Sequence, residues 1–302
     1  MKIFSSIKSR DLAEKIIYEL NTKYAHNIHL GKLNINKFSD GEILPKIDDD
    51  IKNSDVFFIN TLDTADSILE TILVVDAAKR LGCKKFILVA PYLSYSRQDK
   101  VDHVGSSLGA QSLARTLENS GINILITIDL HSSKVKEFYQ IPVIEIDGKE
   151  IFKEFFVDSI ENNTCLISPD QGGVSKMKSF LKDFPYIHTA VMSKKRVRPN
   201  EVKSLSLKGQ VRGKDVIILD DIADTLGTIV KASQLLLNKG ANSVKAVATH
   251  GVLSGSAFIN LEKSSLTELV VSDTLNNINN PKLKVISSYK AISKHIHLLV
   301  NK

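Results

Sequence analysis

The chain has 302 residues, of which 43% are hydrophobic and 25% are charged, and its formal net charge is +6. These are the proportions of an ordinary globular protein with one large or two medium domains. No apolar run approaches the roughly 20 residues that a membrane helix needs, and the N-terminal apolar stretch is too short for a signal peptide. The two cysteines, Cys83 and Cys165, are expected to be free thiols in a reducing compartment. We therefore expect a cytoplasmic protein with no membrane partner.

Short apolar runs rich in β-formers alternate with helical patterns along the chain. In chain order the predicted elements are helix 10–23, strand 56–60, helix 67–81, strand 85–90, helix 109–119, strands 124–128 and 164–167, helix 172–181, strand 216–219, helix 228–239, and strands 244–248 and 268–271. Strands that alternate with helices of this length are typical of parallel βαβ units. The sequence therefore predicts an α/β fold of mostly parallel sheets flanked by helices.

One unit of this pattern occurs twice. A helix that begins at Thr71-Ile72 ends at Gly82 and is followed by strand 85–90, and a helix that begins at Thr228-Ile229 ends at Gly240 and is followed by strand 244–248. The repetition favours two related domains. We predict an N-terminal domain over residues 1–146 and a C-terminal domain over 147–302, with the last helix a candidate to pack on the N-terminal domain.

The positive charge indicates an anionic partner, and it is locally dense at Lys194, Lys195, Arg196 and Arg198. A basic run of this kind is often a solvated surface or a nucleic-acid patch. No aromatic residues lie among these cations and no nucleic-acid motif occurs elsewhere, so nucleic acid is not expected as a partner. A small polyphosphate fits the same charge.

The segment from 216 to 228 is the most informative part of the sequence. Four apolar β-formers run into Asp220 and Asp221, and the turn Asp224-Thr225-Leu226-Gly227-Thr228 then leads into a helix. Main-chain N–H groups at a helix N-terminus bind phosphate, while paired carboxylates accept hydrogen bonds from vicinal sugar hydroxyls or hold a metal through water. The alternative is that the Asp and Thr side chains only cap the helix.

Polar segments also follow other apolar strands directly. They are 95–99, 129–131, 168–173 and 249–251. Ligands of open α/β sheets bind at the carboxyl ends of the strands, so these segments are candidates for one site.

Six motifs occur in order along the chain. They are Phe38-Ser39-Asp40-Gly41-Glu42, Arg97-Gln98-Asp99-Lys100, Asp129-Leu130-His131, Ser168-Pro169-Asp170 with Gly172-Gly173, Lys194-Lys195-Arg196, and the loop 220–228. Together they resemble the ribose-phosphate pyrophosphokinase family, also called phosphoribosyl pyrophosphate synthetases. The resemblance covers nearly the whole chain. It implies two similar type I phosphoribosyltransferase-like domains and transfer of the pyrophosphoryl group of ATP to the 1-hydroxyl of ribose 5-phosphate.

The resemblance also implies a role for each motif. ATP would contact Phe38, Asp40, Glu42, Arg97, Gln98, Asp99 and His131. Ribose 5-phosphate would contact Asp220, Asp221, Asp224, Thr225, Gly227 and Thr228. His131 and Asp170 would place Mg²⁺, and Lys194 and Arg196 would act catalytically from a flexible loop before Pro199 and Asn200. The expected assembly is a homo-oligomer built on dimers, with a hexamer as one alternative.

Two departures from the family pattern stand out. Leu226 occupies a loop position where Gly or Ala is expected, so that its side chain either narrows the phosphate cradle or points to the core. Residues 101–108 lack an Arg-rich character, which argues against phosphate activation. Two other functions remain open, a phosphoribosyltransferase and a non-catalytic regulatory subunit of the synthetase.

Overall fold

The computed structural model describes residues 1–169, 173–198, 201–276 and 278–301, with the main chain alone at 194–198 and 201–205. The strands are β1 (Lys2–Ser5), β2 (Leu33–Lys37), β3 (Ile43–Ile47), β4 (Asp55–Ile59), β5 (Lys85–Ala90), β6 (Ile124–Ile128), β7 (Val143–Ile146), β8 (Thr164–Ser168), β9 (His188–Arg198), β10 (Glu201–Lys208), β11 (Asp215–Ala223), β12 (Ser243–Gly251), β13 (Glu268–Ser272) and β14 (Leu283–Ile286). The helices are α1 (Arg10–Lys23), α2 (Ala65–Arg80), α3 (Gly109–Ser120), α4 (Ser133–Glu137), α5 (Lys149–Ser159), α6 (Val174–Leu181), α7 (Gly227–Asn238), α8 (Ala257–Lys263) and α9 (Tyr289–Val300).

The chain forms two compact units, Met1–Asp147 together with Ser287–Lys302, and Gly148–Ile286. The sequence-based domain boundary after residue 146 falls beside the point where the main chain enters the second unit. The final segment lies within the predicted C-terminal domain, but its helix was a candidate to pack on the N-terminal domain, and the segment belongs to the first unit. Among the described residues, no helix is both long and apolar enough to cross a membrane.

The sheet of the first unit is parallel throughout. Its strand order is β1-β4-β5-β6-β7, and β2 and β3 form a separate antiparallel hairpin. Strands β4, β5 and β6 read as nearly continuous apolar runs because helices cover the sheet. Phe58 and Phe86 meet in the core with ring centroids 6.2 Å apart.

Helix α9 completes the first unit by packing on α1. It buries Ile292 and Ile296, and the Ser293 hydroxyl donates to the Ile16 carbonyl at 3.2 Å. At its end the imidazole rings of His26 and His297 lie within hydrogen-bond distance, 3.1 Å from Nε2 to Nδ1. Burial first, and then the neighbouring His297, lowers the pKa of His26 below its ordinary value.

The sheet of the second unit has the order β10-β9-β8-β11-β12-β13-β14 within the described residues. All neighbours are parallel except β9 and β10, which form an antiparallel hairpin at one edge. Phe156 of α5 packs against Phe180 of α6 with ring centroids 4.7 Å apart. Cys83 and Cys165 are free thiols, and burial raises the pKa of Cys165 to about 11.

The predicted α/β fold is confirmed, and so is the local detail of the repeated unit. Gly82 and Gly240 follow α2 and α7 with φ of +77° and +90°, the left-handed conformation that commonly ends a helix. In both places the next strand, β5 or β12, begins three residues after the glycine.

Candidate functional site

Strand β11 delivers the acidic residues of the second unit. Its apolar part, from Val216 to Leu219, is buried between β8 and β12. The sequence placed Asp220 and Asp221 in the following loop, and this boundary was wrong. The strand continues to Ala223 because β12 also extends, so that Ala223 pairs with Gly251. The two carboxylates therefore project from a paired strand, which fixes their main chain more firmly than a loop would.

The turn after β11 is held by side chains from the region after β12. The Ser254 hydroxyl donates to Asp224 Oδ1 at 2.5 Å, and Asn260 Nδ2 donates to the Thr225 carbonyl at 2.7 Å. Asp224 is half-buried and Thr225 is exposed. Ser254 and Asn260 were missed by the sequence interpretation, because both contacts span about thirty residues and no local pattern marks them.

The helix after this turn begins behind an apolar residue. The N-cap residue of α7 is Leu226, whose side chain makes no cap hydrogen bond. The first N–H groups of a helix have no partner inside it and attract an anion. The residue at the N-cap position is thus neither an Asp nor a Thr, and Gly227 and Thr228 lie half-buried in a first turn suited to phosphate.

The side chain of Leu226 lies in the core. It is 3% exposed and belongs to the hydrophobic cluster that also contains Ile229 and Leu236. Of the two outcomes that the sequence left open, the structure therefore supports the one in which this side chain points to the core. The main chain at Leu226 has φ of +64°, which is costly for a residue with a Cβ.

In the first unit, the segment 38–42 forms the turn of the β2–β3 hairpin, as expected. The Phe38 N–H donates to the Glu42 carbonyl at 2.9 Å, and Gly41 adopts φ of +95°. The Phe38 side chain is 55% exposed, and Asp40 and Glu42 are also exposed. An exposed aromatic ring beside two carboxylates offers stacking surface and hydrogen-bond acceptors to a nucleoside.

The segments that follow β5 and β6 are joined by a side-chain hydrogen bond. The Ser132 hydroxyl donates to Asp99 Oδ2 at 2.6 Å. Asp99 is half-buried, whereas Arg97, Gln98 and His131 are exposed. The structure thus brings the Arg97–Asp99 motif and the His131 motif to one edge of the parallel sheet, where the carboxyl ends of β5 and β6 meet.

The basic motif lies in a strand and not in a loop. Lys194 and Arg196 belong to β9, where they pair with Leu205 and Val202 of β10. The loop expected at these positions is wrong, because β10 pairs with β9 there, with register irregularities between Glu201 and Ser204. The side chains of Lys194 and Arg196 lie outside the described residues, and so does all of Asp170.

No group of three or more His, Cys, Asp or Glu side chains gathers as a metal site in the described part of the chain. Mg²⁺ prefers oxygen ligands, and proteins commonly hold it through one or two carboxylates while substrate phosphates and water complete the shell. Of the two ligands expected from the sequence, the carboxylate of Asp170 is of that chemical type and the imidazole of His131 is not.

A cavity of about 210 Å³ lies at the other ends of the second sheet. Asn163, Asp215 and Ser243 line it where β8, β11 and β12 begin. Since ligands of parallel sheets bind at the carboxyl ends of the strands, this cavity is not the candidate substrate site.

Comparison with known proteins decides the family. Residues 1–121 match the N-terminal domain of ribose phosphate pyrophosphokinase, and residues 177–302 match the phosphoribosyl synthetase-associated domain. A ribose-phosphate pyrophosphokinase of Porphyromonas gingivalis is 35% identical over 288 residues, covering 94% of this chain and 90% of the relative. The chain belongs to the ribose-phosphate pyrophosphokinase family.

Other members of the family agree over the full length. Ribose-phosphate pyrophosphokinase A of Dictyostelium discoideum is 35% identical over 303 residues, covering 98% of this chain and 93% of the relative. The crystal structure of phosphoribosylpyrophosphate synthetase from Mycobacterium smegmatis superimposes with a TM-score of 0.89 at 25% identity, covering 99% of this chain and 98% of that one. The resemblance drawn from six motifs is thereby confirmed as family membership.

Proposed function

We propose that this protein transfers the pyrophosphoryl group of Mg·ATP to the 1-hydroxyl of ribose 5-phosphate, giving 5-phosphoribosyl 1-pyrophosphate and AMP. The observation that carries the proposal is the β11–α7 segment within a chain of this family. Two half-buried carboxylates on a paired strand precede a helix whose N-cap residue, Leu226, makes no side-chain cap hydrogen bond. That combination suits a molecule with vicinal hydroxyls at one end and a phosphate at the other.

The sugar phosphate is assigned to the second unit. Asp220 and Asp221 accept hydrogen bonds from ribose hydroxyls, while the 5-phosphate binds to the N–H groups of the turn and the Thr hydroxyls. The contributing turn residues are Asp224, Thr225, Gly227 and Thr228. The bonds from Ser254 and Asn260 support this assignment because they hold the turn before any ligand arrives.

ATP is assigned to the exposed residues of the first unit. The Phe38 ring stacks on the base, Asp40 and Glu42 accept hydrogen bonds from the nucleoside, and Arg97 binds phosphate with Gln98 and Asp99 beside it. His131 and Asp170 would hold Mg²⁺, which when bound would neutralise phosphate charge.

Lys194 and Arg196 are proposed to stabilise the charge that develops during transfer. Phosphoryl-type transfer needs positioning and electrostatic stabilisation more than a protein nucleophile. The β9–β10 hairpin supports this role because an antiparallel pair carries cations on a stiffer arm than a loop does. A homo-oligomer built on dimers remains part of the proposal, as does a cytoplasmic location.

Two other functions predict different chemistry. A phosphoribosyltransferase would use the β11–α7 segment but would consume phosphoribosyl pyrophosphate and need no ATP. A regulatory subunit would bind without turnover. The retained residues His131, Asp170, Lys194 and Arg196 favour an active synthetase over the second alternative.

The test is AMP formation from ATP and Mg²⁺, with and without ribose 5-phosphate. We expect AMP only with the sugar phosphate, and a fall of about 10²–10³-fold in kcat for Lys194→Ala or Arg196→Ala, the loss typical of one electrostatic stabiliser. Lys208→Ala is the matched control, because Lys208 is an exposed cation at the other end of the same hairpin. Absence of sugar-dependent AMP from folded protein would refute the enzyme proposal and favour the regulatory subunit.

A further inference from the structure

The main chain around His131 is fixed from both sides by side chains that no motif contains. On one side, the Leu130 N–H donates to Glu145 Oε1 at 3.0 Å. On the other, the Ser132 hydroxyl donates to Asp99 Oδ2 at 2.6 Å. The exposed His131 therefore sits between two residues that are each tied to a different neighbouring segment.

The Ser132 hydroxyl donates to a distant carboxylate instead of capping its own helix. Ser132 is the N-cap residue of α4, where a serine oxygen commonly accepts a hydrogen bond from the first turn of the helix. Here no side chain makes that cap hydrogen bond, and the hydroxyl donates to the Asp99 carboxylate instead. A hydrogen bond to an ionised group is stronger than a neutral one, so the bond ties the segment after β6 to the segment after β5.

Glu145 of β7 holds the residue before His131. Its main chain pairs with Thr127 of β6, so the sheet sets its position. Its carboxylate accepts a hydrogen bond from the Leu130 N–H, beyond the end of β6. The Leu130 side chain is 7% exposed and belongs to the core of the first unit. Both the N–H and the side chain of the residue before His131 are therefore held.

Asp129, two positions before His131, has a strained main-chain conformation that the surrounding contacts maintain. Asp129 is buried and adopts φ of +41°, and its N–H donates to the Ile146 carbonyl at 3.0 Å. Conformations of this kind persist only where the surroundings over-determine them, and they concentrate at functional sites.

We propose that Ser132 and Glu145 are positioning residues that hold His131 in the place where it meets Mg·ATP, Ser132 through Asp99 and Glu145 through the Leu130 N–H. The ATP part of this inference rests on the proposed function, whereas the anchoring of His131 is a property of the free protein. In this proposal Ser132 and Glu145 act through His131 and not by contact with substrate, so loss of either weakens binding of ATP and leaves binding of ribose 5-phosphate unchanged.

The kinetic test separates the two substrates. We expect Ser132→Ala to raise the KM for Mg·ATP about five- to tenfold, the effect of one lost hydrogen bond, with the KM for ribose 5-phosphate within about twofold of wild type. Ser132→Thr restores the hydroxyl and is expected to recover most of the loss. Glu145→Val removes the acceptor from β7 and is expected to act like Ser132→Ala, whereas Glu145→Gln keeps a carbonyl oxygen for the Leu130 N–H.

Two variants control for general loosening of the first unit. Ser120→Ala removes a hydroxyl that donates to the Leu117 carbonyl at 2.6 Å, and Glu118→Ala removes a carboxylate that accepts the Ile141 N–H at 3.0 Å. They are matched in chemistry to Ser132 and Glu145 but make no contact with the His131 segment in the described structure. We expect both to leave the KM for Mg·ATP unchanged.

An NMR measurement without ligand tests the anchoring of His131 independently of enzyme turnover. In protein labelled with ¹³C at histidine Cε1, His131→Asn assigns the His131 signal, and buried His250, 2.9 Å from the Thr274 hydroxyl, serves as a reference. We expect the His131 signal to broaden or split in Ser132→Ala/Glu145→Val while the His250 signal stays unchanged. An unaltered His131 signal in that folded double variant would overturn the proposal even if wild type makes AMP. A changed signal in a protein without turnover would refute only the proposed function.

Discussion

Leu226 combines a left-handed main chain with a buried side chain, two features with opposite effects on stability. Leu226→Ala removes most of the buried side chain and keeps the unfavourable φ of +64°, so we expect it to lower the free energy of unfolding by about 2–5 kcal/mol. Leu226→Gly loses slightly more volume but relieves strain of about 1–2 kcal/mol, so we expect it to be the more stable of the two variants. Urea unfolding of both variants measures the difference.

Leu236 is a control position at which we expect the opposite order of stability between the alanine and glycine variants. It is fully buried in the same cluster but lies inside α7, where glycine is about 1 kcal/mol less favourable than alanine. Leu236→Gly should therefore be less stable than Leu236→Ala. If glycine were the worse substitution at both positions, the strain assigned to Leu226 would be refuted.

At the scale of elements, the β9–β10 hairpin depends on one glycine where β10 ends. Gly209 has φ of +124°, and a Cβ built there would lie 2.6 Å from Ala190 Cβ and 2.9 Å from Ala190 Cα. Both the conformation and the contact with main chain oppose a side chain. We expect Gly209→Ala to lower the free energy of unfolding of the second unit by about 2–5 kcal/mol, combining strain with overpacking. Urea denaturation checks the value.

Gly213 lies four residues further on, and its substitution separates the effect of conformational strain from the effect of close contact. Its φ is +70°, and nothing lies within 4 Å of a Cβ built there. Gly213→Ala should cost only the conformational strain, about 1–2 kcal/mol. Equal losses at Gly209 and Gly213 would show that close contact with Ala190 contributes nothing.

The sequence predicted the buried parallel strands best. Strands β5 and β6 and helix α1 have the bounds that the sequence indicated, because an apolar run or a helical period ends where burial ends. The hairpin β2–β3 was not predicted, since Pro45 inside β3 argues against a strand unless the strand lies at an edge. The sequence interpretation placed Lys194 and Arg196 in a loop instead of in β9, because consecutive cations look like a solvated loop until an antiparallel partner is known.

The candidate site was predictable where its residues are consecutive and not where they come from distant segments. Asp220, Asp221 and the following turn stand together in the sequence, and the structure keeps them together at the end of β11 and the start of α7. Ser132 and Glu145 carry no motif. Glu145 is placed by the order of the strands in the sheet, and Ser132 contacts a residue 33 positions away in the chain. Periodicity in the sequence predicts neither of these contacts.

At the scale of the whole molecule, the stability of the first unit depends on the last helix, α9. Helix α9 buries Ile292 and Ile296 completely, and each such side chain contributes about 1.5–3 kcal/mol. We therefore expect a fragment of residues 1–147 to be strongly destabilised. The same fragment joined by a flexible Gly-Ser linker to residues 287–302 should recover a cooperative thermal transition, as followed by circular dichroism.

The linked fragment carries its own control. Substituting Ile292→Asp and Ile296→Asp in the added helix keeps its length but removes the apolar contact with the first unit, so recovery should be lost. A fragment 1–147 as stable as the linked form would contradict the role assigned to α9.

The position of α9 also sets an order of events during synthesis. A ribosome releases residues 1–147 first, yet the helix that covers α1 emerges only after the entire second unit has been made. The second unit is continuous in sequence, so it can finish folding while the first still exposes the apolar surface of α1. The N-terminal half of the newborn chain therefore keeps apolar surface exposed until the last helix has been made.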